Sequence, residues 1–138
     1  RKKFSTTNKC SLGAYEVLRT RKKIHLTILA SGSEVNLAIE TSHKLAKDKI
    51  YSKVISMPCQ DLFELQSNSY KQKIINETKM KISIEAASTD CWNKYVGNNG
   101  LTFGIDKFGK SAPYKEIYNH FGLTATSIAN RSKKLVRK

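Results

Sequence analysis

Two periods of apolar residues alternate along this chain, and the places where one gives way to the other mark its elements. Ile24-His-Leu-Thr-Ile-Leu-Ala30 is a β-rich apolar run of strand length, broken by Ser31-Gly32-Ser33. From Glu34 onward, Val35, Ala38, Ile39, Ser42, Leu45 and Ala46 recur at helical spacing with charges on the other face. Ser33 stands at the N-cap of that helix and Glu34 at the positive end of its dipole. Lys44, Lys47 and Lys49 suit the opposite end. Lys53-Val-Ile-Ser-Met57 is a second strand, closed by Pro58. Strand, helix and strand within about 35 residues make a βαβ unit, so the two strands should run parallel.

The pattern continues in shorter pieces. Gln60–Gln66 and Ser69–Ile75 read as short helices, Met80–Ala87 as a third strand, and Asp90–Val96 as a helical turn or short helix. Gly97-Asn-Asn-Gly100 is a turn, Leu101–Ile105 a short fourth strand, and Lys107–Pro113 a loop. Tyr114–Phe121 is a helix stopped by Gly122, and Thr124 caps a last helix running to about Lys134. Strands alternating with helices give a three-layer α/β/α sandwich on a mostly parallel sheet.

A chain of 138 residues is one domain and can bury a core without disulfides or metals. Residues 1–23 are polar and basic without a clean period, so they read as a linker and lead-in from a preceding domain, with the folded domain at 24–138. There is no initiator Met, and the expectation is a chain cut from something longer. No apolar run approaches the roughly 18 residues of a membrane span, and no signal-peptide core follows the N-terminus.

The net charge of +14 raises the question of nucleic acid. Residues 1–23 carry eight basic groups and one acid, and residues 131–138 carry five basic groups and none. Residues 24–130 therefore hold a net charge of only +2. Lysines outnumber arginines 20 to 5, whereas nucleic-acid surfaces lean on arginine for bidentate contacts. No recognition-helix, zinc-finger or stacking-aromatic pattern appears. The expectation is solvated basic tails with nonspecific polyanion binding at low salt, and no specific nucleic-acid partner. Cys10, Cys59 and Cys91 are odd in number and widely spaced, which suits free thiols in a reducing, cytoplasmic compartment. His25, His43 and His120 share no ligand spacing, so no metal site is expected.

Four places carry candidate chemistry. Gly104-Ile-Asp-Lys-Phe-Gly-Lys-Ser111 spells a phosphate-binding loop, G-x-x-x-x-G-K-S. Pro113 stands where the following helix should donate N–H groups, and no later strand offers a metal-binding Asp, so a tight-turn loop is the favoured reading. The Ser31–Glu34 corner, with Gly32, Ser33 and Glu34 as candidates, can hold an anion at a helix N-terminus, although a structural cap is favoured. Ser31 and Ser33 lack the His and Asp of a nucleophilic triad. Asp61 and Glu64, three apart on a short helix, read as a solvated face. Trp92, Lys94 and Tyr95 mark either an interface or a stretch of core.

Read in order, several stretches resemble the C-terminal domain of transketolase. They are Gly13-Ala-Tyr-Glu-Val-Leu18, Ile28-Leu-Ala-Ser-Gly-Ser-Glu-Val35, Val54-Ile-Ser-Met-Pro58 followed by Phe63, Gln66 and Tyr70, and Ile84-Glu-Ala-Ala87. Trp92-Asn-Lys-Tyr-Val-Gly97, Ile105-Asp106, Phe108-Gly-Lys-Ser-Ala-Pro113 and Phe121-Gly-Leu-Thr124 complete the set. Ser31 stands for the family's Thr, and Ala87 for its Gly. The family leaves the position of Lys110 free, which makes the phosphate-loop spelling accidental. The resemblance implies a fifth strand, antiparallel to the rest. It also implies a full-length enzyme that uses thiamine diphosphate and a divalent metal, magnesium or calcium, to move two-carbon ketol units between sugar phosphates in the pentose phosphate pathway. The family's Gly-Asp-Gly…Asn cofactor motif and activating glutamate lie in other domains, so this chain is expected to bind no cofactor and to carry no catalytic residue. Its expected partners are the preceding domains of the same polypeptide and a second copy in a homodimer. A related thiamine-dependent enzyme, such as a deoxyxylulose-phosphate synthase or a 2-oxoacid dehydrogenase β subunit, and a free-standing anion- or nucleotide-binding module are the alternatives.

Overall fold

The computed structural model describes residues 8–106 and 113–137. Five strands form one sheet: β1 (Tyr15–Arg19), β2 (Leu26–Ala30), β3 (Ser52–Ser56), β4 (Met80–Ile84) and β5 (Leu101–Phe103). Their order is β1-β3-β2-β4-β5. β3, β2, β4 and β5 run parallel to one another, and β1 runs antiparallel to β3 with a bulge between Glu16 and Leu18. The fifth, antiparallel strand therefore comes from the segment read as lead-in. Its apolar positions, Val17 and Leu18, were too few against the surrounding Lys and Arg to register as a strand. They become half-buried only when the edge of β3 is there to receive them.

The helices are α1 (Glu34–Lys47), α2 (Gln60–Glu64), α3 (Asn68–Ile75), α4 (Asn93–Val96), α5 (Tyr114–His120) and α6 (Ala125–Val136). Every residue of β2 and β3 is buried. Successive side chains of a strand point to opposite faces, so each strand feeds two cores. Leu26, Ile28, Ala30, Val54, Ile82 and Ile84 join Ala38 and Leu45 of α1 and Ile128 of α6 on one face. Leu29, Ile55 and Met57 join Phe63, Ile74, Ile75, Trp92 and Tyr95 on the other. A continuous apolar run with both faces covered is the signature of a central parallel strand.

Local stops act as read from the sequence. Gly122 takes φ 69°, and Leu123 N–H reaches the Tyr118 carbonyl at 2.7 Å to close α5. Thr124 Oγ1 accepts from Ser127 N–H at 3.2 Å and caps α6. The basic residues 131–137 are not a solvated tail. They ride on α6, where Arg131 lies over the Phe103 ring at 4.7 Å and Lys133 pairs with Asp48 at the end of α1. At the N-terminal end, Gly13 takes φ 74°, and a Cβ there would stand 2.2 Å from Phe63 N and 2.5 Å from Cys59 O. Only glycine lets β1 start this close to α2.

Candidate functional site

The C-terminal ends of parallel strands are where α/β sheets place ligands. Here that crevice holds Ser31, Gly32, Ser33 and Glu34 after β2, and Glu85 after β4. Gly32 makes the turn at φ 53°. Ser33 occupies the N-cap position but does not cap with its side chain: its hydroxyl donates to Glu34 Oε1 at 2.8 Å. The Tyr118 hydroxyl of α5 donates to the same oxygen at 2.6 Å, and Ser31 donates to Glu85 Oε2 at 2.5 Å. Glu34 is buried. Burial, followed by the Glu34 hydrogen bond, pushes the Tyr118 phenol up to about 12. The corner offered for an anion thus already contains two carboxylates, one of them at the helix N-terminus where an incoming anion would seat. The Glu34–Tyr118 hydrogen bond ties α5 to the start of α1, and the Glu34 carboxylate itself occupies the positive end of the helix dipole.

Trp92 and Tyr95 are 1% and 6% exposed and belong to the second core. Of the interface candidates, only Lys94 is exposed, and it lies over the Tyr95 ring at 4.7 Å. Asp61 and Glu64 do not act together. Glu64 accepts from the Tyr95 hydroxyl at 2.7 Å, which holds its carboxyl below the ordinary range, helped by Lys71 and Lys94. Within the phosphate-loop spelling, residues 107–111 lie outside the described residues. Gly104 serves close packing, since a Cβ there would stand 2.5 Å from Thr89 Cγ2 and 2.7 Å from Ala87 O. The three cysteines are free thiols. Among the described residues, no three His, Cys, Asp or Glu side chains converge as metal ligands, and no helix is long and apolar enough to cross a membrane.

Two clusters escaped the sequence reading. Asp106 accepts from Thr89 N–H at 2.8 Å and from Thr89 Oγ1 at 2.9 Å, pinning the loop after β4 to the end of β5. Glu77 accepts a bidentate pair from Arg19 at 2.8 and 2.7 Å, and Lys53 Nζ donates to it at 2.9 Å. Arg19 and Lys53 are cross-strand partners in β1 and β3. Glu77, 58 residues from Arg19 in the chain, meets them only in the fold. A signal for the first cluster existed in Ile105-Asp106; the second had none at short range.

The family model of the transketolase-like C-terminal domain matches residues 13–124. This chain belongs to that family. It is 42% identical over 128 residues to the transketolase of Bacillus subtilis, covering 91% of this chain and 19% of that protein. It is 38% identical over 132 residues to the transketolase of Sinorhizobium medicae, covering 95% and 19%. Among solved structures, the H261F mutant of Pichia stipitis transketolase superposes with a TM-score of 0.88 at 33% identity, over 98% of this chain and 19% of that one. The chain thus spans about a fifth of the length of the transketolases it matches.

As a transketolase C-terminal domain, the chain keeps the family's stretches at the turning points of its fold. Ile28–Val35 runs from β2 through the corner into α1, Trp92–Gly97 forms the aromatic turn of the second core, and Phe121–Thr124 joins α5 to α6. Phe108–Ala112 lies outside the described residues. The match from residue 13 agrees with β1 being part of the domain, not of a linker. The strand-end crevice does not fit thiamine diphosphate. A diphosphate seeks backbone N–H groups and cations, and the strand-end crevice presents the Glu34 and Glu85 carboxylates with their hydroxyl donors already engaged.

Proposed function

We propose that this chain works as the C-terminal accessory domain of a thiamine-diphosphate- and metal-dependent transketolase, a cytoplasmic homodimer that transfers two-carbon ketol units between sugar phosphates in the pentose phosphate pathway. In this reading the chemistry belongs to the other domains of the polypeptide, and this domain supports their assembly. The observation that carries it is the family match over residues 13–124, joined to a sheet crevice closed by its own carboxylates. Such a domain supplies rigidity: the sheet is buried on both faces, and its two ends are tied by side-chain networks instead of being left open for a substrate.

The test is immunoprecipitation from source cells with an antibody raised to this domain, followed by an assay with a ketose phosphate donor and an aldose phosphate acceptor. The expected result is a polypeptide several-fold larger than 15.6 kDa whose ketol transfer depends on added thiamine diphosphate and magnesium or calcium. A 15.6 kDa band without ketol transfer would overturn the proposal.

A further inference from the structure

A hollow of about 420 Å³ opens on the face of the sheet opposite α1 and α6. Lys71 of α3, Lys81 of β4 and Lys94 of α4 line it, brought together from three separate elements. Glu64 is the one carboxylate among its lining residues. It meets Lys71 and Lys94 at 3.4 Å each. These are long for charge-assisted contacts, which close to about 2.7–2.9 Å when committed. Lys81 has no carboxylate partner among the described residues. It donates to the neutral Oδ1 of Asn76 at 2.8 Å. Burial pulls its ammonium below the ordinary lysine value, as expected of a desolvated cation without a counter-charge. Three ammonium groups and one carboxylate leave two positive charges around a concave space, with the rings of Phe63 and Tyr95 beside it.

We propose that this hollow binds a phosphate monoester dianion, with Lys71, Lys81 and Lys94 as its cationic ligands and the Asn76 side chain as a further polar contact. The charge matches a dianion. The loose Glu64 pairs allow Lys94 to turn toward an incoming oxygen without breaking a tight ion pair, and Lys71, which also donates to the Glu64 carbonyl at 3.1 Å, keeps further N–H donors for it. The Glu64 carboxylate stays anchored by Tyr95, so it holds Lys71 and Lys94 in range while offsetting only one of the three positive charges. The site is separate from the Ser31–Glu34 corner, sharing none of its residues, and it does not depend on the ketol-transfer reading above.

Inorganic phosphate titrated into the 138-residue chain at constant ionic strength, followed by ¹H–¹⁵N NMR, tests it. Saturable shifts should be confined to amides of α3, the start of β4 and α4. Lys81→Gln and the surface substitution Lys94→Gln should each weaken binding about tenfold, the equivalent of one charge-assisted hydrogen bond. Lys44→Gln, an exposed lysine of α1, should leave it unchanged. Ribose 5-phosphate binding more tightly than inorganic phosphate would assign a sugar ester, and equal affinity the phosphate group alone. Shifts that do not saturate, that spread over the basic termini, or that are the same in Lys94→Gln and the parent chain would overturn the proposal.

Discussion

Removing the Glu77 carboxylate should unfasten the edge of the sheet, and the structure sets the size of the effect. Glu77 bridges Arg19 on β1 and Lys53 on β3, and Lys53 is 1% exposed. Its hydrogen bonds with Arg19, and then with Lys53, hold its carboxyl at about 2 against an ordinary 4.5. A group whose pKa is depressed by folding adds stability that is complete above its unfolded value and lost as the pH falls through its folded value. Glu77 therefore stabilises the fold fully above about pH 5, and the gain drains away toward pH 2. At about 1.4 kcal/mol for each pH unit between those values, full linkage is about 3 kcal/mol. With 35% of the side chain exposed, solvent screening reduces this to about 1–2 kcal/mol. Glu77→Ala does more than remove that amount, because it leaves the buried Lys53 ammonium facing only the Lys73 carbonyl at 2.8 Å. An uncompensated buried charge raises the loss to about 3 kcal/mol. Lys53→Met with Glu77→Ala should recover about half of it. The assay is urea unfolding read from Trp92, the one tryptophan of the chain and a buried one. A double-mutant-cycle coupling below about 0.5 kcal/mol, or unchanged acid sensitivity in Glu77→Ala between pH 5 and 3, would refute the reasoning.

Three further outcomes are expected. The Tyr118 phenol is raised to about 12 from 10.0, so its contribution holds below pH 10 and is lost as the pH rises through 12; Tyr118→Phe should flatten alkaline unfolding across that window, as followed by circular dichroism. Gly13→Ala should cost more than about 2 kcal/mol in a urea titration, since it adds positive-φ strain to a collision with backbone atoms that have no rotamer to yield. Lys49 takes φ 61° just past α1, where Ile50 N–H returns to the Leu45 carbonyl at 3.0 Å. Lys49→Gly should therefore raise the melting temperature, by the equivalent of about 0.5–1 kcal/mol.

Element identity was legible because it is written at short range. The run 24–30 and the helical spacing from Val35 to Ala46 each need only neighbouring residues to declare their period, and β2 and α1 formed within two residues of the predicted bounds. β1 was not legible. An edge strand with two half-buried apolar side chains among Arg and Glu carries little periodic signal, and its partner strand lies more than thirty residues away. Trp92 and Tyr95 were ambiguous for a related reason: aromatic residues suit interface and core alike, and only the packing of α2 and α3 over them puts them inside.

The sequence by itself determined the α/β class, the parallel βαβ unit, the stops at Gly122 and Thr124, and the family resemblance, because each rests on residue types at fixed short spacings. Tertiary structure alone decided what the charged residues do. It joined the Ser31–Glu34 corner to α5 by bringing up Tyr118, 84 residues from Glu34. It gathered Arg19, Lys53 and Glu77 into one network, and it set Lys71, Lys81 and Lys94 around a single hollow. Electrostatic partnership depends on distance in space, and the chain reports only distance along itself.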